Sequence, residues 1–143
     1  MIVLDTHAWI WLLEGDNRIN KKHILTKIYK NIPTRSIYVS EISAWEVAML
    51  VSKKRIKISG SLVDWIKEGQ NAPGIYSINL TPEIISESVS LPDSFHGDPA
   101  DRLIVATARI LKAELVTMDK AILNYARKGN VKTLSLSPPK SKS

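Results

Sequence analysis

Four carboxylates stand in this 143-residue chain where side-chain packing alone is a poor reason for an acid: Asp5, Glu46, Asp101 and Asp119. Asp5 closes the apolar run Ile2-Val3-Leu4, and Asp119 follows Leu115-Val116-Thr117-Met118. Each suits a helix N-cap, but two apolar runs ending alike point to shared chemistry. Glu46 is expected on a helix starting near Glu41, on one face with Ile42, Trp45, Met49 and Leu50, by the ~3.6-residue turn. An ionised carboxylate inside such an apolar stripe is costly without a cation, a proton or a salt-bridge partner. Ser43-Ala44-Trp45-Glu46 also reads as a capping box, the competing structural account. Asp101 repeats the pattern, sharing its face with Ile104, Val105 and Ala108.

Brought together, four such acids would raise one another's pKa by repulsion. A shared hard divalent cation removes that problem. With no cysteine and no paired histidine, oxygen-only ligation points to Mg²⁺ or Mn²⁺ rather than zinc. Such a site keeps waters and accepts phosphate oxygens, which fits phosphodiester or phosphoryl chemistry.

Supporting residues can be named around the acids. Asp98 precedes Pro99 as a natural N-cap and is a candidate outer ligand. Thr6 and Thr117 flank Asp5 and Asp119, so their hydroxyls can orient carboxylates or hold water; ordinary strand-end threonines are the equal alternative. Lys53, Lys54 and Arg55 follow the Glu46 segment, and Arg102 follows Asp101; all four are candidate phosphate contacts, although a charge run is usually a solvated face. His7, His23 and His96 carry no ligand signal. Trp9, Trp11, Trp45 and Trp65 are expected in core or interface, and since Trp9 and Trp11 cannot share a helical face, one is expected to be exposed.

These residues must be positioned by a scaffold, and the chain alternates short strands with helices. Strands are expected at 2–4, 36–39, 75–80, 114–117 and 131–136. Helices are expected at 8–13, 20–29, 41–51, 62–70, 82–90, 99–111 and 120–126. Strands rich in Ile, Val and Leu alternating with helices imply an α/β fold, a parallel sheet covered on both faces. Ligands then bind beyond the carboxyl ends of the strands, where the acids fall. Residues 1–136 are expected to form one domain, and 137–143 a flexible basic tail. A net charge of +6 favours a polyanionic partner such as nucleic acid, although solvated lysines account for it equally well. The opening Met1-Ile-Val-Leu-Asp5 lacks a signal-peptide pattern, and no apolar run approaches the ~20 residues of a membrane span. A soluble cytoplasmic protein is expected. Two other classes suit the acids less well: a Mg²⁺-dependent phosphatase, for which a second acid two residues after Asp5 is missing, and a non-catalytic nucleic-acid-binding module.

The series Leu4-Asp5-Thr6-His7-Ala8-Trp9, Ser43-Ala44-Trp45-Glu46-Val47-Ala48, His96-Gly97-Asp98-Pro99-Ala100-Asp101-Arg102 and Leu115-Val116-Thr117-Met118-Asp119 resembles PIN-domain ribonucleases, specifically the VapC-like toxins of type II toxin–antitoxin systems. It extends over residues 1 to about 136, and four ordered pieces are far more specific than any one. The resemblance implies a three-layer α/β/α sandwich around a mostly parallel sheet. It implies Mg²⁺- or Mn²⁺-dependent endoribonuclease activity with Asp5, Glu46, Asp101 and Asp119 as the acid quartet. It also implies an RNA substrate, a small antitoxin whose tail enters the active-site groove, and a homodimer.

Overall fold

Brief runs of aliphatic, largely β-branched residues make five strands: β1 (Ile2–Leu4), β2 (Ile37–Ser40), β3 (Ile75–Ile78), β4 (Glu114–Thr117) and β5 (Thr133–Ser135). A computed structural model describes residues 1–136; the tail expected at 137–143 lies outside the described residues. The strands form one all-parallel sheet in the order β3-β2-β1-β4-β5. Between them run α1 (Thr6–Glu14), α2 (Lys22–Asn31), α3 (Glu41–Ser52), α4 (Leu62–Gln70), α5 (Pro82–Val89), α6 (Pro99–Leu111) and α7 (Lys120–Ala126).

Alternation along each strand sorts the core into two layers, because successive side chains point to opposite faces. Ile2 and Leu4 of β1, with Ile37 and Val39 of β2 and Val116 of β4, pack on Trp9, Ile24, Ile28, Val47 and Trp65 from α1–α4. Val3 and Leu115, which alternate with these residues along their strands, pack on Ile84, Ile104, Val105 and Ile122 from α5–α7. Each such buried side chain contributes about 1.5–3 kcal/mol. The result is the α/β/α sandwich expected.

Element positions follow the sequence closely, with four informative differences. α1 begins at Thr6, two residues earlier than expected, because Asp5 caps it and accepts the Ala8 amide at 2.8 Å. A 3₁₀ turn at Asn17–Ile19, capped by Asp16, delays α2 to Lys22. β3 ends at Ile78 rather than Leu80, since the Leu80 amide turns to the Glu41 carboxylate. β5 is confined to Thr133–Ser135.

Trp9 and Trp11 correct the expectation that one is exposed: both are buried. Trp9 meets the Trp65 ring at 5.1 Å and donates its indole N–H to the Gly69 carbonyl. Trp11, on the other side of α1, is roofed by the Arg18 guanidinium 4.3 Å above its ring. The helix is enclosed on two sides, so neither face is left to solvent. Among the described residues, no helix is long and apolar enough to cross a membrane.

Candidate active site

From β1 the chain steps to β2 and β3 on one side, then returns to place β4 on the other. The carboxyl ends of β1 and β4 therefore flank the switch point, where open parallel sheets form a crevice. A cavity of about 440 Å³ opens there, lined by Asp5, Glu46, Asp98, Asp101 and Asp119 together with Thr6, His7, Trp11, Arg18, Ile104 and Met118. Another depression of equal volume lies near the amino ends of β4 and β5, lined by Arg109, Lys112 and Lys132 among others. Size does not choose between them; the chemistry of the lining does.

Local structure aims each acid. Register pairs Leu4 with Val116 and the Asp5 amide donates to the Val116 carbonyl, which sets Asp5 beside Thr117. The fully buried Thr117 hydroxyl bonds the Asp5 carboxylate and accepts the Asp119 amide at 3.0 Å. One hydroxyl thus fastens two acids. Asp119 caps α7 through the Ile122 amide, and Asp98 caps α6 through the Asp101 amide at 2.8 Å. Three acids are therefore N-caps and pocket residues at once, so the capping reading and the functional one describe the same side chains. Gly97 keeps the approach to α6 tight, because a Cβ there would stand 2.9 Å from that of Asp101.

The Glu46 stripe requires correction. On α3 the fully buried residues are Ser43 and Val47, whereas Trp45 is 57% exposed. α3 packs against α1 and α6, so its inner face runs through Ser43 and Val47. Glu46 lies at the border of that face and is half-buried. A capping box is also absent: Ser40 caps the helix. Thr6 Oγ1 instead lies 2.5 Å from Glu46 Oε1 and 2.9 Å from Ser43 Oγ. Its single proton goes to the carboxylate, which can only accept, and Ser43 then donates to Thr6. Asp101 matches its expected face, above the buried Ile104, Val105 and Ala108.

Electrostatics confirm that the acids sense one another. Burial, reinforced by the charges of Asp98, Asp119, Glu46 and Asp5, pushes the Asp101 carboxyl up to about 7. Burial raises Asp5 against the opposing hydrogen bonds from Thr117 and Ala8, and it raises Glu46 against the bond from Thr6. The one arginine lining the cavity, Arg18, forks onto Asp16 at 2.8 and 2.9 Å and is spent there. Besides the His7 imidazole, which acts against the rise at Asp5 and Glu46, no basic side chain lining the cavity among the described residues is left to balance its charge.

Not every candidate faces this cavity. Arg102 corrects the expectation of an acid or phosphate contact: its guanidinium donates to the carbonyls of Ser88 and Phe95, both at 2.8 Å, and fastens the α5–α6 connection. Lys53 and Arg55 line an adjoining groove instead, and Lys54 lines a separate depression with Ile56 and Ile58. His7 and Trp11 are cavity residues that the sequence did not single out. Their only signal was proximity to Asp5.

Thr117→Val tests the clamp between the two acids. Removing the hydroxyl leaves the part-buried Asp119 amide and an Asp5 oxygen short of a partner. A loss of about 1–3 kcal/mol is expected in denaturant unfolding. An unchanged midpoint would show that the hydroxyl holds neither acid.

An all-oxygen donor set with uncompensated charge fits a hard divalent cation. Among the described residues, however, no three His, Cys or acidic side chains are already closed around one point.

Comparisons with known proteins agree with this fold. The PIN-domain family profile matches residues 2–128. Ribonuclease VapC22 of Mycobacterium tuberculosis is 31% identical over 124 residues, covering 87% of this chain and 91% of that protein. Among solved structures, VapBC2 from Rickettsia felis bound to a DNA fragment from its promoter aligns with a TM-score of 0.66 at 17% identity, over 94% of this chain and 98% of that one. A toxin–antitoxin complex from Klebsiella pneumoniae aligns with a TM-score of 0.61 at 18% identity, over 96% and 98%.

Proposed function

Because this chain belongs to the PIN-domain family, we propose that it is a Mg²⁺- or Mn²⁺-dependent endoribonuclease and the toxin of a toxin–antitoxin pair. The observation that carries this reading is the convergence of five carboxylates on one cavity whose arginine, Arg18, is paired with Asp16. Such charge calls for a divalent cation, and a cation there calls for phosphate. Likeness to a ribonuclease and to toxin–antitoxin structures supports the RNA substrate and a small antitoxin partner. A cytoplasmic homodimer is part of the same reading.

Asp5, Glu46, Asp101 and Asp119 would hold the cation, with Asp98 in an outer position. When bound, the cation would neutralise charge at the scissile phosphodiester and lower the pKa of attacking water. The chain's own residues do the positioning. Thr117 and the Ala8 amide fix Asp5, and Thr6 aims Glu46. The N-termini of α1, α6 and α7 place partial positive charge behind Asp5, Asp98 and Asp119. Trp11 and Ile104 form the apolar side of the wall.

Incubation with total cellular RNA, with Mg²⁺ or with EDTA, followed by mapping of cut ends, tests the proposal. Discrete metal-dependent cuts are expected. RNA bound equally in EDTA and never cut would point to a binding module. Phosphate released from small esters with RNA intact would point to a phosphatase.

A further inference from the structure

Beside the acid cavity, α3 also lines a second groove of about 370 Å³. Trp45 and Met49, one turn apart, and Lys53, one turn further, run along it, and Pro99 and Ala100 of α6 form the opposite wall. Trp45 is the most exposed tryptophan of the chain; Trp9, Trp11 and Trp65 are all buried. Among the described residues its ring meets no other aromatic ring. Lys53 and Arg55 on the rim are exposed and form no ion pair among the described residues. Their backbone is held firmly, with the Lys53 amide on Met49, the Arg55 amide on Leu50, and Lys54 at φ 56° between them.

This groove is continuous with the acid cavity. Glu46 and Asp98 line both. Neighbouring residues of α3 thus serve neighbouring chambers: Glu46 the first, Trp45 the second. A strand whose phosphodiester lies among the acids has its adjoining nucleotide within reach of the groove.

We infer that the groove is a nucleobase subsite, in which one unpaired base of the RNA stacks on Trp45 while its flanking phosphate meets Lys53 and Arg55. The inference rests on the ribonuclease reading and adds to it a place for one specific nucleotide beside the cut. An exposed indole offers a π-face, and unspent cations offer what a phosphate seeks. A partner protein's helix would use the apolar floor but gives the two cations and the two shared acids no role.

The cleavage-silenced Asp5→Asn protein, with Mg²⁺, is titrated with a single-stranded RNA oligonucleotide that the wild type cuts. Quenching of Trp45 fluorescence is expected. Trp45→Ala should remove that quenching and weaken binding roughly tenfold, about 1.4 kcal/mol; Trp45→Phe should retain most of the affinity. Placing an abasic site at successive positions should make the Trp45→Ala penalty vanish at one nucleotide. Lys53→Ala with Arg55→Ala should reduce the log–log salt slope by roughly 0.7, the contribution of one phosphate contact. RNA affinity unchanged in Trp45→Ala, or an equal penalty at every abasic position, would overturn the inference. Protection of Trp45 by an amphipathic helical peptide, with RNA affinity intact in Trp45→Ala, would give the groove to a protein partner. Failure of the ribonuclease reading would be recognised separately, since the wild type would then leave RNA uncut.

Discussion

Asp5→Asn is expected to abolish RNA cleavage, by about a thousandfold or more, while leaving a folded protein. Asp5 is the most buried acid of the cavity and sits at the sheet's switch point. Losing its charge withdraws several kcal/mol of stabilisation from a metal-assisted step, at about 1.36 kcal/mol per tenfold. The fold survives because asparagine caps helices as well as aspartate does, and its amide oxygen still accepts the Ala8 amide. In EDTA at neutral pH the variant should melt higher than the wild type. Burial raises the Asp5 carboxyl, so the folded protein strains to keep it ionised, and a neutral isostere relieves that strain. Cleavage at the wild-type rate would remove Asp5 from the chemistry. A lower melting point in EDTA would count against the crowding of charge.

The second large effect concerns pH and is centred on Asp101. Its carboxyl is pushed up to about 7 in the folded protein, from an ordinary value of 3.8. A raised acid favours the protonated folded state. Its stabilising contribution is therefore complete below about pH 4 and is lost as pH rises towards 7. With the cation absent, part of the stability should decline across that window, and Asp101→Asn should flatten the decline. Cation binding should show the opposite trend, because proton and cation compete for the same oxygens. Affinity for Mg²⁺ is expected to rise up to about tenfold per pH unit below 7 and to level off above it. Calorimetric titration at several pH values reads this directly. An affinity flat between pH 5 and 8 would show that Asp101 does not share its oxygens with the ion.

Much of this was legible before the fold was known, for physical reasons that differ by element. β1 and β4 end as expected because their apolar runs stop at residues that must leave the sheet. α4, α6 and α7 match to the residue, since Ser61, Asp98 and Asp119 are strong caps with amphipathic sequence behind them. α3 was placed well but its face was misjudged. Trp45 reads as core by composition, yet packing between α1 and α6 gave the inner face to the small Ser43 and to Val47. Arg102 reads as a phosphate ligand by charge, whereas the α5–α6 connection needed a donor for two carbonyls. The bond from Thr6 to Glu46 spans 40 residues of sequence, and no local pattern encodes it.

Three of the pocket acids also start helices, and this has a bearing on how such a protein would lose its activity over generations. A change of aspartate to asparagine at any of these three places removes a charge but preserves the helix start. Inactive descendants would then persist as well-folded molecules, with no loss of expression or thermal stability to mark them. Judging whether a given copy still works requires counting the charges at the strand ends; its robustness says nothing about it.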